Sequence, residues 1–506
     1  MRRQLGAAAL LMTASVLASR VLGYARDAIV AARHGATAET DVYFASFTLP
    51  DLMTYMLAGG ALSLTFIPLF SRYVHGGREA EGWACFSVVA TTMGTLLAAA
   101  TAVAWVLAPY LLPPLLPGFS AAQLAETVSL TRIVLPAQVA FYLGGLLGAT
   151  VLSRGRFLEA ALAPLIYNAC IIVGGLALGP WLGIAGFSWG ALAGAFVGPF
   201  GLLLLAARKH GMRYTPRWSM KDPDFRTFVR LSLPVMVGFS LVTVDEWLTR
   251  YFASDMDGGA ISWVQNARRL MLVPVSVLGQ AAGQATLPFL ARLHAEGKDA
   301  EAASVLGDAL RIVGFATLAA TAWMMVTSEP VVGLFYEHGR FLRADTLASS
   351  AALVLLSAGI LAWAVQALVA RGFYALEDTW TPMLLATGVT VAAVPVYWLL
   401  GHRMGFRGLA LATTLGMTVT AVVTLATLRR RLPLPMAALA LSWARSALVA
   451  TAAGAAAWLA LRAVDGSGYL LRLTASTAAF GLVLAAGATL LRVPEWRSMV
   501  SRLRRR

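Results

Sequence analysis

The sequence predicts an all-α polytopic membrane protein of about 14 transmembrane helices, with two parallel-repeat six-helix lobes plus two extra C-terminal helices. Three observations predict this fold class: an apolar composition, a succession of long apolar runs and a long-range internal repeat. Of the 506 residues, 58% are hydrophobic and 13% are charged, and the mean hydropathy is +0.71. Because the main solvent of such a chain is lipid, the composition excludes a disordered protein and a soluble multidomain enzyme.

The two cysteines and the net charge give no sign of another protein class. Cys85 and Cys170 each lie within an apolar run, so there is no disulfide framework and no zinc-ligand spacing. The formal net charge is +15, but the basic residues are scattered between apolar segments as loop anchors, and we expect no nucleic-acid partner. Arg20 and Arg26 interrupt a first segment that begins like a signal peptide, so we predict that it is a retained first helix.

Apolar runs bounded by charged residues, glycine and proline predict the helices in chain order. Each run approaches or exceeds the roughly 20 residues that cross a bilayer core. The predicted spans are 6–33, 41–70, 84–112, 127–152, 158–178, 183–207, 227–254, 259–291, 307–326, 346–370, 382–401, 406–428, 439–461 and 473–491. If the N-terminus is cytoplasmic, most lysines and arginines fall at cytoplasmic helix ends, which predicts that both termini are cytoplasmic.

The chain also repeats itself at long range. The segment 59–72 matches 279–292 at an offset of 220, and Gly183-x-x-Gly186 matches Gly405-x-x-Gly408 at 222. Arg154-Gly155 with Pro164 matches Arg371-Gly372 with Pro382 at 217 and 218. Six helices per repeat is an even number, so both copies share one orientation. The predicted domains are an N-lobe at 1–208, a basic cytoplasmic linker at 209–226, a C-lobe at 227–431, and helices 13–14 with a basic tail at 432–506.

Two lobes related by a parallel repeat are typical of a transporter, because rocking one lobe against the other exposes a site between them to alternate sides. A membrane enzyme would need an acidic catalytic cluster and usually a sizeable external loop. The sequence shows neither, so we predict a transporter and no enzyme activity.

Charged residues within helix 1 predict part of the transport site. Arg20 lies near the middle of the span, where an arginine costs about 3 kcal/mol or more, so a polar group must face it. Asp27 lies seven residues on, along the same helical stripe, with Gly23 between them. Arg26 can border the same cavity. The alternative is an internal Arg20–Asp27 pair that only fixes helix 1.

Helix 8 carries Arg268 and Arg269, which point about 100 degrees apart on a helix. At most one of them readily faces a central cavity, and Arg269 is our choice, with Arg268 packing aside or pairing. Arginines from both lobes would form a cationic chamber, and guanidinium groups suit a diphosphate or carboxylates. We therefore expect an anionic cargo.

Acidic residues within the spans are few. Asp245 or Glu246 in helix 7 could bind a coupling proton or sodium ion, or could instead pair with Arg250 or Arg269. Asp378, at the start of helix 11, could be a plain N-cap. The sequence predicts no cofactor beyond a possible coupling ion and no firm metal site.

Five segments of the chain have the character of family motifs: Ser19–Ala28, Thr40–Phe44, Leu49–Leu52, Ala267–Met271 and Arg371–Pro382. The first and the last of them are the most specific. Together they resemble the MurJ (MviN) lipid II flippases of the multidrug/oligosaccharidyl-lipid/polysaccharide exporter superfamily.

The resemblance implies transport of lipid II, a lipid-linked peptidoglycan precursor, to the outer leaflet of the bacterial cytoplasmic membrane. It implies binding roles for Arg20, Arg26 and Arg269, a functional acid at Asp41, and a sodium site near Asp245 and Asp378. Helices 13–14 would form a groove for the polyprenyl tail, and an ion or the membrane potential would drive the cycle. Membrane lipids and the cell-wall synthesis machinery are the other expected partners.

The chain departs from the family pattern at three places. It has Thr54-Tyr55 where the family usually carries arginine, Gly59 where it carries an acid, and Arg268 in place of an acid before the helix 8 arginine. These departures leave open a flippase for another undecaprenyl-diphosphate-linked glycan, of O-antigen or capsule type. A cation-coupled multidrug antiporter is the third possibility, although it predicts an acid-rich cavity and twelve helices.

Overall fold

A computed structural model of the protein describes residues 2–54, 65–256 and 258–497, and of 2–13, 16 and 233–243 only the backbone. Within these ranges every regular element is a helix. The predicted all-α fold class is confirmed.

The chain divides into two compact units, Met1–Gly259 and Ala260–Arg506. The first unit includes the helix Pro223–Ala253, which the repeat counts as the first helix of the second half. Its helices are α1 (Arg2–His34), α2 (Ala38–Ser46), α3 (Thr48–Met53), α4 (Ile67–His75), α5 (Glu79–Leu111), α6 (Ala121–Val134), α7 (Ala137–Leu152), α8 (Leu158–Leu182), α9 (Ala185–Ala195), α10 (Leu203–Lys209) and α11 (Pro223–Ala253).

The second unit contains ten α-helices and a π-helical segment, Val275–Gln280, that follows the first of them. A π-helical segment, Phe196–Leu202, similarly joins α9 to α10 in the first unit. The helices of the second unit are α12 (Ala260–Pro274), α13 (Ala281–Ala295), α14 (Asp299–Val326), α15 (Ser328–Tyr336), α16 (Arg343–Ser357), α17 (Ile360–Ala375), α18 (Trp380–Met404), α19 (Phe406–Leu428), α20 (Met436–Ala463) and α21 (Tyr469–Leu490).

The described residues contain ten helices, or runs of helix, that are long and apolar enough to cross a membrane. The pair α16 and α17, bent by 44°, adds an eleventh. The other three predicted spans correspond to α1, to the region of α2–α4 and to α11. Both α1, with 33 residues, and α11, with 31, exceed the length that a span requires. About fourteen spans is therefore consistent with the structure.

The two halves repeat each other in helix bounds and in backbone torsion. Displacing α8 by 222 residues gives both ends of α18, and displacing α7 by 223 gives both ends of α17. Gly183 ends α8 with φ 57° and ψ −138°, and Gly405 ends α18 with φ 58° and ψ −142°. This region of φ and ψ is essentially restricted to glycine, so the match of these two glycines in sequence has a structural cause.

One predicted match is in the wrong register. Gly372 lies inside α17, so it is not the counterpart of Gly155, which follows the end of α7 with φ +72°. The counterpart is Glu377, with φ +59°, because the Arg156 N–H bonds Val151 O and the Asp378 N–H bonds Phe373 O in the same turn. A residue in the left-handed conformation is usually glycine. Because the second repeat has a glutamate at this position, the sequence does not show that Gly155 and Glu377 correspond.

The helices that follow the repeat pack on α14 inside the second unit. Trp443 of α20 donates its indole N–H to Leu310 O at 3.1 Å. A Cβ on Gly314 would lie 2.0 Å from Trp443 Nε1, so this glycine is needed for the two helices to approach. Glu495, after α21, accepts hydrogen bonds from Arg311 Nε at 3.1 Å and Ser442 Oγ at 2.9 Å.

Candidate functional site

A polar stripe on α1 joins it to α8. Ser15 donates to Ala161 O, and Asn168 donates from Nδ2 to Ser19 Oγ at 3.2 Å. Arg26 donates from Nη1 to Asn168 Oδ1 at 3.2 Å. These α1 residues recur at helical spacing, so they lie on one face. Gly23 lies on it too, and a Cβ at this position would be in ordinary contact with Asn168 Oδ1, at 3.9 Å.

Arg26 is held by a carboxylate as well as by Asn168. Its Nε lies 3.0 Å from Asp27 Oδ1, and the side chain of Asp27 is 2% exposed. A buried carboxylate is tolerated when a cation and hydrogen-bond donors face it. The side chains of the predicted site residues Arg26 and Asp27 therefore contact each other. This contact and the one with Asn168 fix the orientation of the Arg26 guanidinium.

Arg20 differs from Arg26 in its surroundings. It lies 18 residues into the 33-residue α1, about 27 Å along a helix of about 50 Å. Its side chain is partly buried, and it makes no hydrogen bond or ion pair with any residue that the structure describes. The alternative Arg20–Asp27 pair is therefore not formed, and the cation that Asp27 faces is Arg26.

The two adjacent arginines of α12 also divide into a buried and a partly buried one. Arg268 is 3% exposed and donates from Nη2 to Thr413 Oγ1 at 3.3 Å. Thr413 also shares a 2.8 Å hydrogen bond with the hydroxyl of Tyr397. Arg269 is partly buried. Arg268 is thus the more deeply buried of the two, and that Arg269 faces a central cavity stays a prediction.

Asp41 is buried near the residues that precede α12. Its Oδ2 accepts the Gly259 N–H at 2.7 Å, and Asp41 is 3% exposed. A Cβ on Gly258 would lie 3.1 Å from Ala38 N, so the 258–259 backbone passes very close to α2. The contact assigns Asp41 a positioning role for this backbone.

Sequence reasoning missed a third charged contact, between α3 and α11. Arg250 is 5% exposed and donates from both terminal nitrogens to Asp51 Oδ2 at 3.2 Å. It also donates to Thr48 Oγ1 at 3.3 Å, and Glu246 lies 3.8 Å away. The sequence shows an acidic residue in predicted helix 2 and a basic residue in predicted helix 7. Because they are 199 positions apart, the sequence does not show that they are in contact.

The predicted ion-coupling residues do not form an obvious cation site. The carboxylate of Asp378 caps α18, with Thr381 N at 2.9 Å, Thr381 Oγ1 at 2.6 Å and Arg431 Nη1 at 2.5 Å. Burial alone would raise the pKa of Asp378, but these donors hold it below its ordinary value. Because its oxygens are already satisfied by donors, Asp378 does not fit the role of a sodium ligand.

Asp245 is partly buried in α11, and its backbone carbonyl accepts a hydrogen bond from Thr249 Oγ1 at 2.9 Å. No group of three or more His, Cys, Asp or Glu side chains suited to a metal ion occurs within 2–54, 65–256 and 258–497.

Of the positions that depart from the family pattern, Thr54 donates to Pro50 O at 3.0 Å and to Gln138 Oε1. Tyr55 and Gly59 lie outside the described residues.

The family described as "Lipid II flippase MurJ" matches residues 30–475. A relative from Rhizobium meliloti, named "Probable lipid II flippase MurJ", is 30% identical and covers 82% of this chain and 78% of its own. A relative from Vibrio cholerae with the same name is 27% identical, covering 80% of this chain and 79% of its own. The "Lipid II flippase MurJ" of Burkholderia cenocepacia is 25% identical over 84% of each chain.

Solved structures share the fold. One described as "Lipid II flippase MurJ, inward closed conformation" has a TM-score of 0.79 at 22% identity, covering 95% of this chain and 99% of that one. An inward-facing multidrug resistance MATE transporter of the MOP superfamily has a TM-score of 0.70 at 17% identity, covering 83% and 95%.

Proposed function

Since this chain belongs to the MurJ family of lipid II flippases, we propose that it carries lipid II from the inner to the outer leaflet by alternating access. Lipid II joins a glycopeptide to a polyprenyl chain through a diphosphate. The protein must therefore hold an anionic head group inside the bilayer while the tail stays in lipid. Transport of this kind makes and breaks no covalent bond, so no enzymatic activity is part of the proposal.

The observation that carries the proposal is the environment of Arg20. Its guanidinium lies midway along a membrane-length helix without a hydrogen-bond or ion-pair partner among the described residues. Such a charge costs about 3 kcal/mol or more in a membrane, and a diphosphate in reach would offset that cost. Guanidinium groups bind phosphate oxygens through paired hydrogen bonds. Arg269 is proposed as the corresponding group of the second unit.

We place the chain in the bacterial cytoplasmic membrane with both termini in the cytoplasm. Its many apolar helices make it a multi-pass membrane protein, and the distribution of lysine and arginine supports the orientation. Cysteine accessibility provides the check. A cysteine introduced next to Arg430 should react with a membrane-impermeant thiol reagent only after the cells are permeabilised.

The energy source in this proposal is an ion gradient or the membrane potential. Asp245 is the coupling residue that we propose to test first, because the Asp378 carboxylate already accepts three hydrogen bonds. Transport in proteoliposomes under an imposed pH gradient or potential tests this point, with Asp245→Asn as the variant. Unchanged coupling in that variant would remove Asp245 from the mechanism.

Complementation tests the cargo. A strain depleted of its own lipid II flippase should grow when it expresses this chain, and should not grow when it expresses Arg20→Ala at an equal membrane level. Arg33→Ala is the matched control, because it removes an exposed arginine from the last turn of the same helix. Growth supported by Arg20→Ala would refute the binding role.

A flippase for another polyprenyl-diphosphate glycan is the second candidate. The observation in its favour is that Thr54 forms a neutral pair with Gln138 near the position where the family usually carries arginine. Failure of the well-expressed wild-type chain to complement, together with rescue of an O-antigen flippase mutant, would support this candidate.

A further inference from the structure

The segment that joins α10 to α11 lies as an extended strap along α5. Three backbone N–H groups of the strap, residues 212–221, donate to hydroxyl side chains of this helix. The hydrogen bonds are Thr215 N to Ser87 Oγ at 3.2 Å, Arg217 N to Thr91 Oγ1 at 3.3 Å and Ser219 N to Thr92 Oγ1 at 3.0 Å. The hydroxyl of Tyr214 also lies 2.9 Å from Thr91 Oγ1. The strap therefore has a defined register on α5.

Every second N–H group of the strap bonds α5, so the intervening N–H groups form a second edge that faces away from this helix. In an extended chain successive N–H groups point to opposite sides, so the intervening ones point away from α5. Pro216 has no N–H, and the N–H groups of Trp218 and Met220 make no hydrogen bond within the part of the chain that the structure describes. Such groups are not tolerated facing hydrocarbon, so this edge needs water or polar lipid groups.

The length of α5 places the strap at head-group depth. The helix has 33 residues and begins at Glu79, so Ser87–Thr92 lie about 12–20 Å from its start. The remaining 19 residues, about 29 Å, match the roughly 30 Å hydrocarbon core. The strap then lies beside the part of α5 that precedes this core, on the side that the positive-inside rule assigns to the cytoplasm.

The exposed side chains of the strap have the chemistry of a membrane interface. Tyr214, Trp218 and Met220 are 46%, 49% and 51% exposed. Arg213, Arg217 and Lys221 are exposed beside them, and no acidic residue occurs between 208 and 221. Aromatic rings and basic groups together are typical of segments at the head-group layer.

We propose that the strap is a binding site for anionic phospholipid head groups of the cytoplasmic leaflet, with phosphatidylglycerol as the ligand class. The basic side chains and the open N–H groups bind the phosphate, and the aromatic rings lie at the boundary between the head groups and the acyl chains. The hydroxyl ladder of α5 holds these groups at the depth of the phosphate. The site is independent of the transported cargo.

The experiment measures phosphatidylglycerol bound to the full-length purified protein by native mass spectrometry, with phosphatidylcholine as the reference lipid. The wild type should prefer phosphatidylglycerol. Because each basic residue near an anionic surface is worth about fivefold in affinity, the triple variant Arg213→Gln, Arg217→Gln, Lys221→Gln should lose at least about tenfold. The control triple variant Arg292→Gln, Arg429→Gln, Arg430→Gln removes the same charge from exposed positions elsewhere. It should keep the wild-type affinity for the most tightly bound phosphatidylglycerol.

A second variant separates the register of the strap from its charge. Ser87→Ala, Thr91→Val, Thr92→Val removes the acceptors and leaves every basic residue, so affinity should fall while the net charge is unchanged. A spin label at Met220→Cys, in a background with Cys85→Ala and Cys170→Ala, should report head-group depth before this change and an aqueous environment after it.

Three results would overturn the proposal: equal loss in both charge triples, no preference for phosphatidylglycerol in the wild type, or a label already in bulk water. No preference would direct the search to an acidic protein segment instead. None of these results bears on complementation, so the strap and the proposed cargo can fail separately.

Discussion

The arginines of α1 and those of α12, which belong to two separate units, differ among themselves in the same way. In each helix one arginine is fixed by a polar residue of a neighbouring helix, Arg26 by Asn168 and Arg268 by Thr413. In each helix a second arginine, Arg20 or Arg269, is only partly buried. From this comparison we propose that an arginine within a span has one of two uses, holding helices together or binding cargo. The variants below separate these uses.

The largest expected effect is loss of transport in Arg20→Ala and in Arg269→Ala. Both variants should insert and fold, because each removes an arginine that is only partly buried. Depleted cells carrying either variant should fail to grow and should accumulate lipid II in the inner leaflet. Normal growth with Arg269→Ala but not with Arg20→Ala would break the symmetry between the two units.

Arg26→Ala should mainly affect stability. Removing one partner of a buried ion pair costs about 3 kcal/mol, and Asp27 is 2% exposed. Thermal unfolding in detergent should occur at a clearly lower temperature. The double variant Arg26→Met, Asp27→Asn should recover part of the loss. If Arg26→Ala were as stable as the wild type and still inactive, Arg26 would join Arg20 as a cargo residue.

Thr413→Val should cost less. It removes the acceptor of the Arg268 guanidinium and the partner of Tyr397, and a lost hydrogen bond to a buried charged group costs about 1–3 kcal/mol. Unfolding temperature is the measurement, and lipid II affinity should remain unchanged. A fall in affinity without a fall in stability would show that Arg268 reaches the cargo.

The smallest effect concerns a cap present in one unit alone. Asp378 caps α18, whereas the equivalent position before α8 in the repeat is Arg156. Asp378→Asn keeps the capping oxygen but removes the charge that faces Arg431 and the first turn of α18, and it should cost up to about 1 kcal/mol at pH 7. Because the folded-state pKa of Asp378 is lowered, its contribution is complete above the ordinary pKa and is lost as the pH falls through the folded value. Wild type and variant should therefore converge in strongly acidic buffer, as unfolding curves at several pH values would test.

Most of the fold could be predicted from the sequence because lipid imposes a length on every apolar run. Some helices begin earlier than predicted, as α5 does at Glu79 and α14 at Asp299, because polar first turns continue these helices beyond the hydrocarbon. The break between α6 and α7 at Pro136 recurs between α16 and α17 at Gly359. Proline signals such a break from its missing N–H, but glycine does so only weakly, and neither break was predicted.

The site was less predictable, because pairings depend on which helices are neighbours. Charge at membrane depth identified Arg20, Arg26 and Asp27, but only the structure shows that the Asp27 carboxylate contacts the Arg26 guanidinium and that Asn168 also accepts from Arg26. The sequence offered Asp378 both as a cap and as an ion ligand, and the N–H and hydroxyl of Thr381 favour the cap.

Gly155 and Glu377 adopt the same left-handed turn 222 residues apart. A left-handed conformation costs a residue with a side chain about 1 kcal/mol, so the second copy has kept the shape after losing the amino acid that makes it easy. Backbone torsion angles can thus remain similar between two repeats at positions where the amino acids have diverged. Aligning the halves of other duplicated transporters at their helix-ending turns would date such events beyond the reach of sequence identity.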